Sequence, residues 1–396
     1  MRKITFQLFL IALLGIQFLN AQTTFVPYYQ TLVNQCSQAN VTQDLTDFES
    51  LGLKRRGTTS LENTFQWLKS KYDAYGYAAN QMQEFSYKYN GSTASCKNLV
   101  VNKTGTLYPD TYVIVCGHYD SIGGTGTNDN GSGVAVILEM ARILQSIPSE
   151  YSIKFINFSG EEDGLKGSQN FVNTVVNSTT PKMNIRLVFN IDEVGGIAGV
   201  ANNTITCEKD ISTPTTNNEA SVAFTNQMVD CVKLYSNLYT TISNCYASDY
   251  MSFQSNNDVI TGMFETNETP VKHTANDFLS NMDPVYNYNV ARAAIGFLLH
   301  ATNTTTVLST NDYNENFHVS FYPNPTKDIL NISSGTINDA DFSFKMIDIN
   351  GRNVYHNNFE NNSLEKSIDI KNISKGIYLG VLEAGDKRIT KKIVVE

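Results

Sequence analysis

The sequence predicts a mixed α/β domain, with a mostly parallel central sheet flanked by helices, followed by a small C-terminal all-β sandwich. Three observations carry this expectation. Residues 111–116, 153–158 and 185–191 are continuous apolar runs, the pattern of strands buried on both faces. Between them the apolar positions recur at helical spacing, so strand, helix, strand, helix and strand follow in short succession and imply parallel crossovers. After Asn303 only short alternating runs remain, punctuated by turn residues such as Pro323-Asn324-Pro325 and Asn350-Gly351.

Taken in order, the chain opens with Met1, Arg2 and Lys3 and an apolar stretch over residues 4–19, interrupted by Thr5, Gln7 and Gln17, with Ala21 as a small residue for cleavage. Residues 1–21 therefore read as a signal peptide. The stretch is short and polar-interrupted for a bilayer span, and no second segment could cross one, so an exported protein without a transmembrane anchor is expected. Residues 22–57 are polar and weakly patterned, either an N-terminal segment with a helix packed on the main domain or a short propeptide. Within them Lys54, Arg55 and Arg56 read as a solvated turn or a processing site.

The main domain is expected over residues 58–303. A helix begins at Ser60 with Leu61, Phe65, Leu68 and Tyr72 on one face, followed by strands at 81–88, 98–101 and 111–116. Helix 133–147, strand 153–158, helix 164–176 and strand 185–191 form the crossovers, and helix 218–238, strand 259–264 and helix 284–301 complete the domain. Residues 304–316 are a polar linker. Residues 317–396 form the sandwich, with strands at 318–322, 329–332, 342–349, 377–382 and 389–395 and no cluster of acids or histidines.

At 396 residues the chain is long for one core, and its net charge of -9 includes no basic stripe, which excludes nucleic acid as a partner. Cys36, Cys96, Cys116, Cys207, Cys231 and Cys245 permit fifteen disulfide pairings in an oxidising compartment. Cys116 lies inside an apolar strand, where a free buried thiol is expected, and no bridge is assigned.

The chemistry sits at strand ends. The strand ending at Cys116 leads to His118 and Asp120, the strand ending at Phe158 to Glu161 and Glu162, and the strand ending at Ile191 to Asp192. Parallel strands bring these side chains to one sheet edge, where open α/β sheets bind ligands. Asp129, in the loop before a helix, reaches the same edge, and His273 is a further available imidazole. Imidazole among carboxylates favours zinc over calcium, and the surplus of ligands points to two Zn2+ ions about 3.5 to 4 Å apart with a shared carboxylate and water. Glu161, beside a ligand but not needed as one, is the natural general base, and Asp120 is placed to take the other ring N–H of His118. No Gly-x-Ser-x-Gly elbow offers a competing nucleophile.

The run 117–121, the run 128–135, the run 158–168 and Asn190-Ile191-Asp192 resemble, in order and spacing, the secreted di-zinc aminopeptidases related to aminopeptidase S and aminopeptidase Y. Ser248-Asp249, Phe253, His273-Thr274 and Asp277 extend the resemblance, which covers roughly residues 55–300. It implies a zinc exopeptidase-like fold with Asp129 bridging, His118 and Asp192 completing one zinc, Glu162 and His273 the other, and Glu161 as general base. Asp120 becomes the partner of His118. Tyr246 resembles a tyrosine that some members use to polarise the scissile carbonyl. Tyr250, where the family often has His, and Cys116, where a smaller residue is common, are departures. Residues 321–325, 328–332, 348–352 and the basic Lys391-Lys392 resemble the sorting domain of the type IX secretion system, implying passage through that machinery and release or attachment at the outer-membrane surface.

The function expected is therefore that of a secreted zinc-dependent aminopeptidase acting on peptides through a water activated by Glu161. The alternatives are a glutaminyl cyclase-like acyltransferase, which shares the fold and several acids, and a non-catalytic exported binding protein on a peptidase fold. His300, His318 and His356 have no ligand setting.

Overall fold

The apolar run ending at Cys116 and His118 has no polar face to offer solvent, and it forms the middle of an eight-stranded sheet. The computed structural model of the chain describes residues 23–89, 95–304, 319–334, 342–348, 351–360, 365–384 and 387–396. The signal-peptide segment 1–21 and nearly all of the expected linker lie outside the described residues. The chain divides into two compact units, Met1–Thr305 and Thr306–Glu396.

In the first unit, in chain order, α1 (Pro27–Val33), α2 (Gln38–Ser50) and α3 (Thr59–Ala74) precede β1 (Met82–Lys88), β2 (Ser95–Lys103) and β3 (Tyr108–His118). Then come α4 (Gly131–Leu144), β4 (Tyr151–Phe158), α5 (Lys166–Phe171), β5 (Asn184–Ile191), β6 (Thr204–Lys209) and α6 (Asn218–Tyr235). β7 (Tyr239–Asn244), α7 (Tyr250–Gln254), β8 (Ile260–Glu265) and α8 (Pro284–Ala301) close the unit. The sheet order is β1-β2-β4-β3-β5-β8-β6-β7. β4, β3, β5 and β8 are mutually parallel neighbours, so their C-terminal ends lie side by side. Antiparallel pairs join β1 to β2, β2 to β4 and β6 to β8.

Local chemistry sets the element boundaries. Thr58, not Ser60, caps α3 by accepting from the Leu61 N–H. Asp283 accepts from the Val285 and Tyr286 N–H groups, with Pro284 in the first turn of α8, a residue that lacks only a donor the helix could not use there. The helix expected over 164–176 starts after Leu165, held at φ +60°, and widens into π turns over Val172–Val176. β6 and β7 were not anticipated. Their Thr-rich sequences lack a continuous apolar run, and β7, at the sheet edge, leaves Tyr239 and Ile242 exposed.

Residues 23–57 include α1 and α2, whose Leu32, Val33, Val41, Leu45 and Phe48 join the main core alongside residues of α4 and α8. The expectation that Lys54 belongs to a solvated turn is overturned. Lys54 is fully buried, its ammonium 3.8 Å from the centre of the Phe48 ring. Burial pushes its pKa down to about 7 against the attraction of Asp277 and Glu49. Arg56 pairs with Asp163 at 3.1 Å and stacks on Tyr89. All six cysteines are buried and free.

The second unit contains β9 (Val319–Tyr322), β10 (Ile329–Ser334), β11 (Phe342–Ile347), β12 (Asn353–Phe359), β13 (Glu365–Asp369), β14 (Gly376–Ala384) and β15 (Lys387–Val395). They form two antiparallel sheets, β13-β10-β9 and β12-β11-β14-β15. Alternate residues Phe342, Phe344 and Met346 of β11 point into a core shared with Leu330, Ile332 and Ile368, the period-two burial of a sandwich. β12 and β13 were not anticipated, and β12 carries an Asn-rich, largely exposed sequence.

Candidate metal centre

Because β4, β3 and β5 are adjacent and parallel, the residues just past their ends meet. His118 is the last residue of β3, Asp192 follows β5 directly, and Glu161 and Glu162 follow β4 after Ser159 and Gly160. Asp129 comes from the β3–α4 loop and His273 from the β8–α8 connection, at φ +56°. His118 Nε2 lies 3.3 Å from Asp129 Oδ1 and 3.3 Å from Asp192 Oδ1. His273 Nε2 lies 3.0 Å from Asp129 Oδ2 and 3.1 Å from Glu162 Oε2. The two oxygens of Asp129 thus face two different histidines. His118, Asp129 and Asp192 form one group whose candidate ligand atoms lie within 4.8 Å of one another, and Asp129, Glu162 and His273 form a second.

Asp192 and His118 are held from behind at the side chain, and Asp129, Glu161 and Glu162 at the main-chain N–H. The Asp277 carboxylate accepts from the main-chain N–H of Asn128 at 2.8 Å and of Asp129 at 3.1 Å. Ser248 donates to Asp192 Oδ2 at 2.5 Å and accepts from Asn190 Nδ2 at 2.9 Å. Asp120 behaves differently from the expectation that its carboxylate takes the His118 ring N–H. That oxygen is 3.7 Å from His118 Nδ1, whereas the main-chain carbonyl of Asp120 is 3.2 Å away. The Asp120 carboxylate instead accepts from the N–H groups of Glu161 and Glu162, each at 3.3 Å, and so fixes the loop bearing the acid pair.

The electrostatics is that of concentrated, undercompensated negative charge. Burial, reinforced by Asp192, Asp249 and Asp120, pushes Glu161 up to about 9 although His118 opposes it. Burial and the neighbouring Asp129 push Glu162 up to about 8. Burial would raise Asp129 too, but hydrogen bonds from His118 and His273 hold it below the usual carboxylate range. Glu162 Oε1 and Asp192 Oδ1 are buried without a hydrogen bond. Such orphaned oxygens are rare and costly. Together with two imidazole nitrogens, these oxygens make a mixed N/O donor set that fits divalent zinc.

Tyr246 stands apart from this packing. It is 59% exposed, on the segment between β7 and α7, with its ring edge-on to Phe264 at 6.4 Å. Sequence reasoning gave no role to Glu265, Glu193 or Asp277. Glu265, at the end of β8, accepts from Asn128 Nδ2, Gly196 N and Thr269 N and braces the Asp129 loop. The strand-end rule that found Asp192 applies to it equally, since Glu265 directly follows the expected strand 259–264. Glu193 is buried, at φ +45°, and pairs with Lys272 at 3.1 Å.

A parallel-centred α/β sheet with a carboxylate between two histidines at its strand ends has the geometry of a metal-binding α/β protein. The chain belongs to peptidase family M28, whose pattern it matches over residues 98–298. Residues 320–396 match the secretion system C-terminal sorting domain. The chain is 38% identical over 123 residues to aminopeptidase YwaD of Bacillus subtilis, covering 30% of this chain and 27% of that protein. It is 29% identical over 195 residues to a probable zinc metalloprotease of Pyrenophora tritici-repentis, covering 42% and 43% of the two chains. The chain therefore spans less than half the length of these relatives. Among solved structures, the Legionella pneumophila LapA aminopeptidase superposes with a TM-score of 0.59 at 21% identity, over 71% of this chain and 77% of that one. The Macrostomum lignano glutaminyl cyclase superposes with a TM-score of 0.62 at 14% identity, over 72% and 96%. At these identities the likeness is one of fold.

Proposed function

We propose that the protein is an exported zinc-dependent aminopeptidase that removes N-terminal residues from peptides. The observation that carries this reading is the placement of Asp129 between His118 and His273, with Asp192 and Glu162 completing two ligand groups. His118, Asp129 and Asp192 would hold one Zn2+, and Asp129, Glu162 and His273 the other. When bound, the ions supply Lewis-acid polarisation of the scissile carbonyl and lower the pKa of the attacking water. The positive charge of bound ions would oppose the burial and negative neighbours that raise Glu161 in their absence, leaving it a carboxylate that takes the proton from the attacking water and returns it to the leaving amine. Asp120, through the N–H groups of Glu161 and Glu162, keeps base and ligand in register. Tyr246, exposed beside Phe264, is assigned to the scissile carbonyl. The sorting domain and the expected signal peptide support export through a type IX secretion machinery, with the mature protein released or held at the outer-membrane surface.

Glu161→Gln keeps the size and hydrogen-bonding shape of the side chain but cannot take a proton. The variant is expected to bind zinc as the wild type does while hydrolysis of aminoacyl-p-nitroanilides falls by roughly 10²- to 10⁴-fold, the usual contribution of a general base. Full activity in Glu161→Gln would sink the assignment. Conversion of N-terminal glutaminyl peptides to pyroglutamate without hydrolysis of amino-acid amides would select the cyclase-like alternative, and binding of peptide with neither reaction would select the non-catalytic one.

A further inference from the structure

The loop carrying Asp129 is held by residues that precede the family match, which begins at residue 98. The Lys54 ammonium donates to the carbonyls of Gly52 and Thr125, each at 2.8 Å. The Lys54 main chain makes two further bonds to Ser121, its N–H donating to Ser121 Oγ at 3.0 Å and its carbonyl accepting from Ser121 N at 3.2 Å. Thr125 Oγ1 then donates to the Asp277 carbonyl at 2.5 Å, and the Asp277 carboxylate holds the Asp129 N–H. Glu49 closes the same circuit, its Oε2 accepting from Thr127 Oγ1 at 3.1 Å and from the Leu279 N–H at 2.5 Å. Packing is equally tight. A Cβ on Gly131 would lie 2.6 Å from the Phe48 ring, and one on Gly124 would lie 2.1 Å from the carbonyl oxygen of Thr274, the neighbour of His273.

We propose that Lys54 and Glu49 are positioning residues for the metal centre. They lock the 121–129 loop against the segment that carries His273, so the N-terminal segment is a working part of the catalytic unit and not a removable propeptide. The proposal rests on the metallopeptidase reading above. Its chemistry is that of outer partners that orient ligands, whose loss typically weakens metal binding or activity 10- to 100-fold. Neither residue touches a ligand side chain; Lys54 acts through the loop backbone at Thr125, and Glu49 through the Thr127 hydroxyl and the Leu279 N–H.

The test uses the full chain and measures zinc affinity by competition with a chromogenic chelator, together with kcat, KM and the thermal midpoint of the metal-free protein. Lys54→Met keeps an unbranched side chain of similar length in the buried site and removes the donors and the ammonium over Phe48, while Glu49→Ala removes the acceptor shared by Thr127 and Leu279. Each is expected to weaken zinc binding by about 10-fold or more and to lower kcat with little change in KM. Val232→Ala, a buried truncation on α6 outside this circuit, is expected to lower the thermal midpoint and leave zinc affinity unchanged, which separates positioning from general destabilisation. Wild-type zinc affinity in both clamp variants, or equal weakening in Val232→Ala, overturns the clamp alone. Absence of zinc binding in the wild type overturns the metallopeptidase reading as well.

Discussion

At the scale of single residues, the site turns on how few atoms decide each role. Asp129 serves two histidines because its carboxylate presents one oxygen to each, at 3.3 and 3.0 Å. Asp120 illustrates the limit of reasoning from spacing. Two residues after His118 it was expected to orient the imidazole through its carboxylate, and the backbone turn instead brings its carbonyl nearer, at 3.2 against 3.7 Å. The carboxylate is thereby left to the Glu161 and Glu162 N–H groups. Asp120→Ala is therefore expected to lower kcat by 10- to 100-fold, with His118 still held through the main chain. Steady-state kinetics and zinc affinity check this, and unchanged kcat would show that the acid-pair loop needs no such tie. The candidate ligands that meet at the sheet edge were legible in the sequence because each follows a strand end or sits in a motif. The bracing contacts of Lys54 and Asp277 were not, because they reach main-chain groups of the Asp129 loop, which carry no side-chain signature, across 71 and 148 positions of chain.

At the scale of elements, the continuous apolar strands and the helices between them were readable because burial on both faces leaves no polar position to confuse the period. The elements missed are those whose sequences are mostly polar. α2 offers only Val41, Leu45 and Phe48 to the core, and β6, β7 and β12 pair through the main chain with few apolar side chains. Their burial is nevertheless consequential. Phe48→Ala is expected to cost about 3–5 kcal/mol, the usual range for an aromatic truncated in a core, measurable by denaturant unfolding. On α8, His300 packs edge-on to Tyr29 at 4.7 Å, and its Nε2 is 2.8 Å from the Tyr235 hydroxyl. Burial pushes its pKa down to about 4. The unfolded chain, with an ordinary histidine near pH 6.5, binds the proton that the folded chain refuses. Its contribution to stability is therefore present above pH 6.5 and lost as pH falls from there toward 4. His300→Phe is expected to flatten the fall of the thermal midpoint across that window, and an unchanged slope would assign the acid sensitivity to other groups.

At the scale of the whole molecule, the two units have separate hydrophobic cores, the first packed on both faces of the central sheet and the second built on β10, β11 and β14. Two thermal transitions are expected. A ligand that binds only the folded state stabilises it by RT ln(1 + [L]/Kd), about 2.7 kcal/mol at a concentration of 100 Kd. Chelation should therefore lower the transition of the first unit and leave that of the second in place. Calorimetry with and without chelator checks this, and a shift of both transitions would contradict it. Among the described residues no helix is long and apolar enough to cross a membrane.

The central claim, that Asp129 is shared between two zinc sites, is tested most directly by counting zinc in three proteins by titration into chelator-stripped enzyme. The account predicts two ions for the wild type, one tight ion for His273→Ala and loss of tight binding at both sites for Asp129→Ala. Fewer than two ions in the wild type, or two tight ions retained in Asp129→Ala, would contradict it.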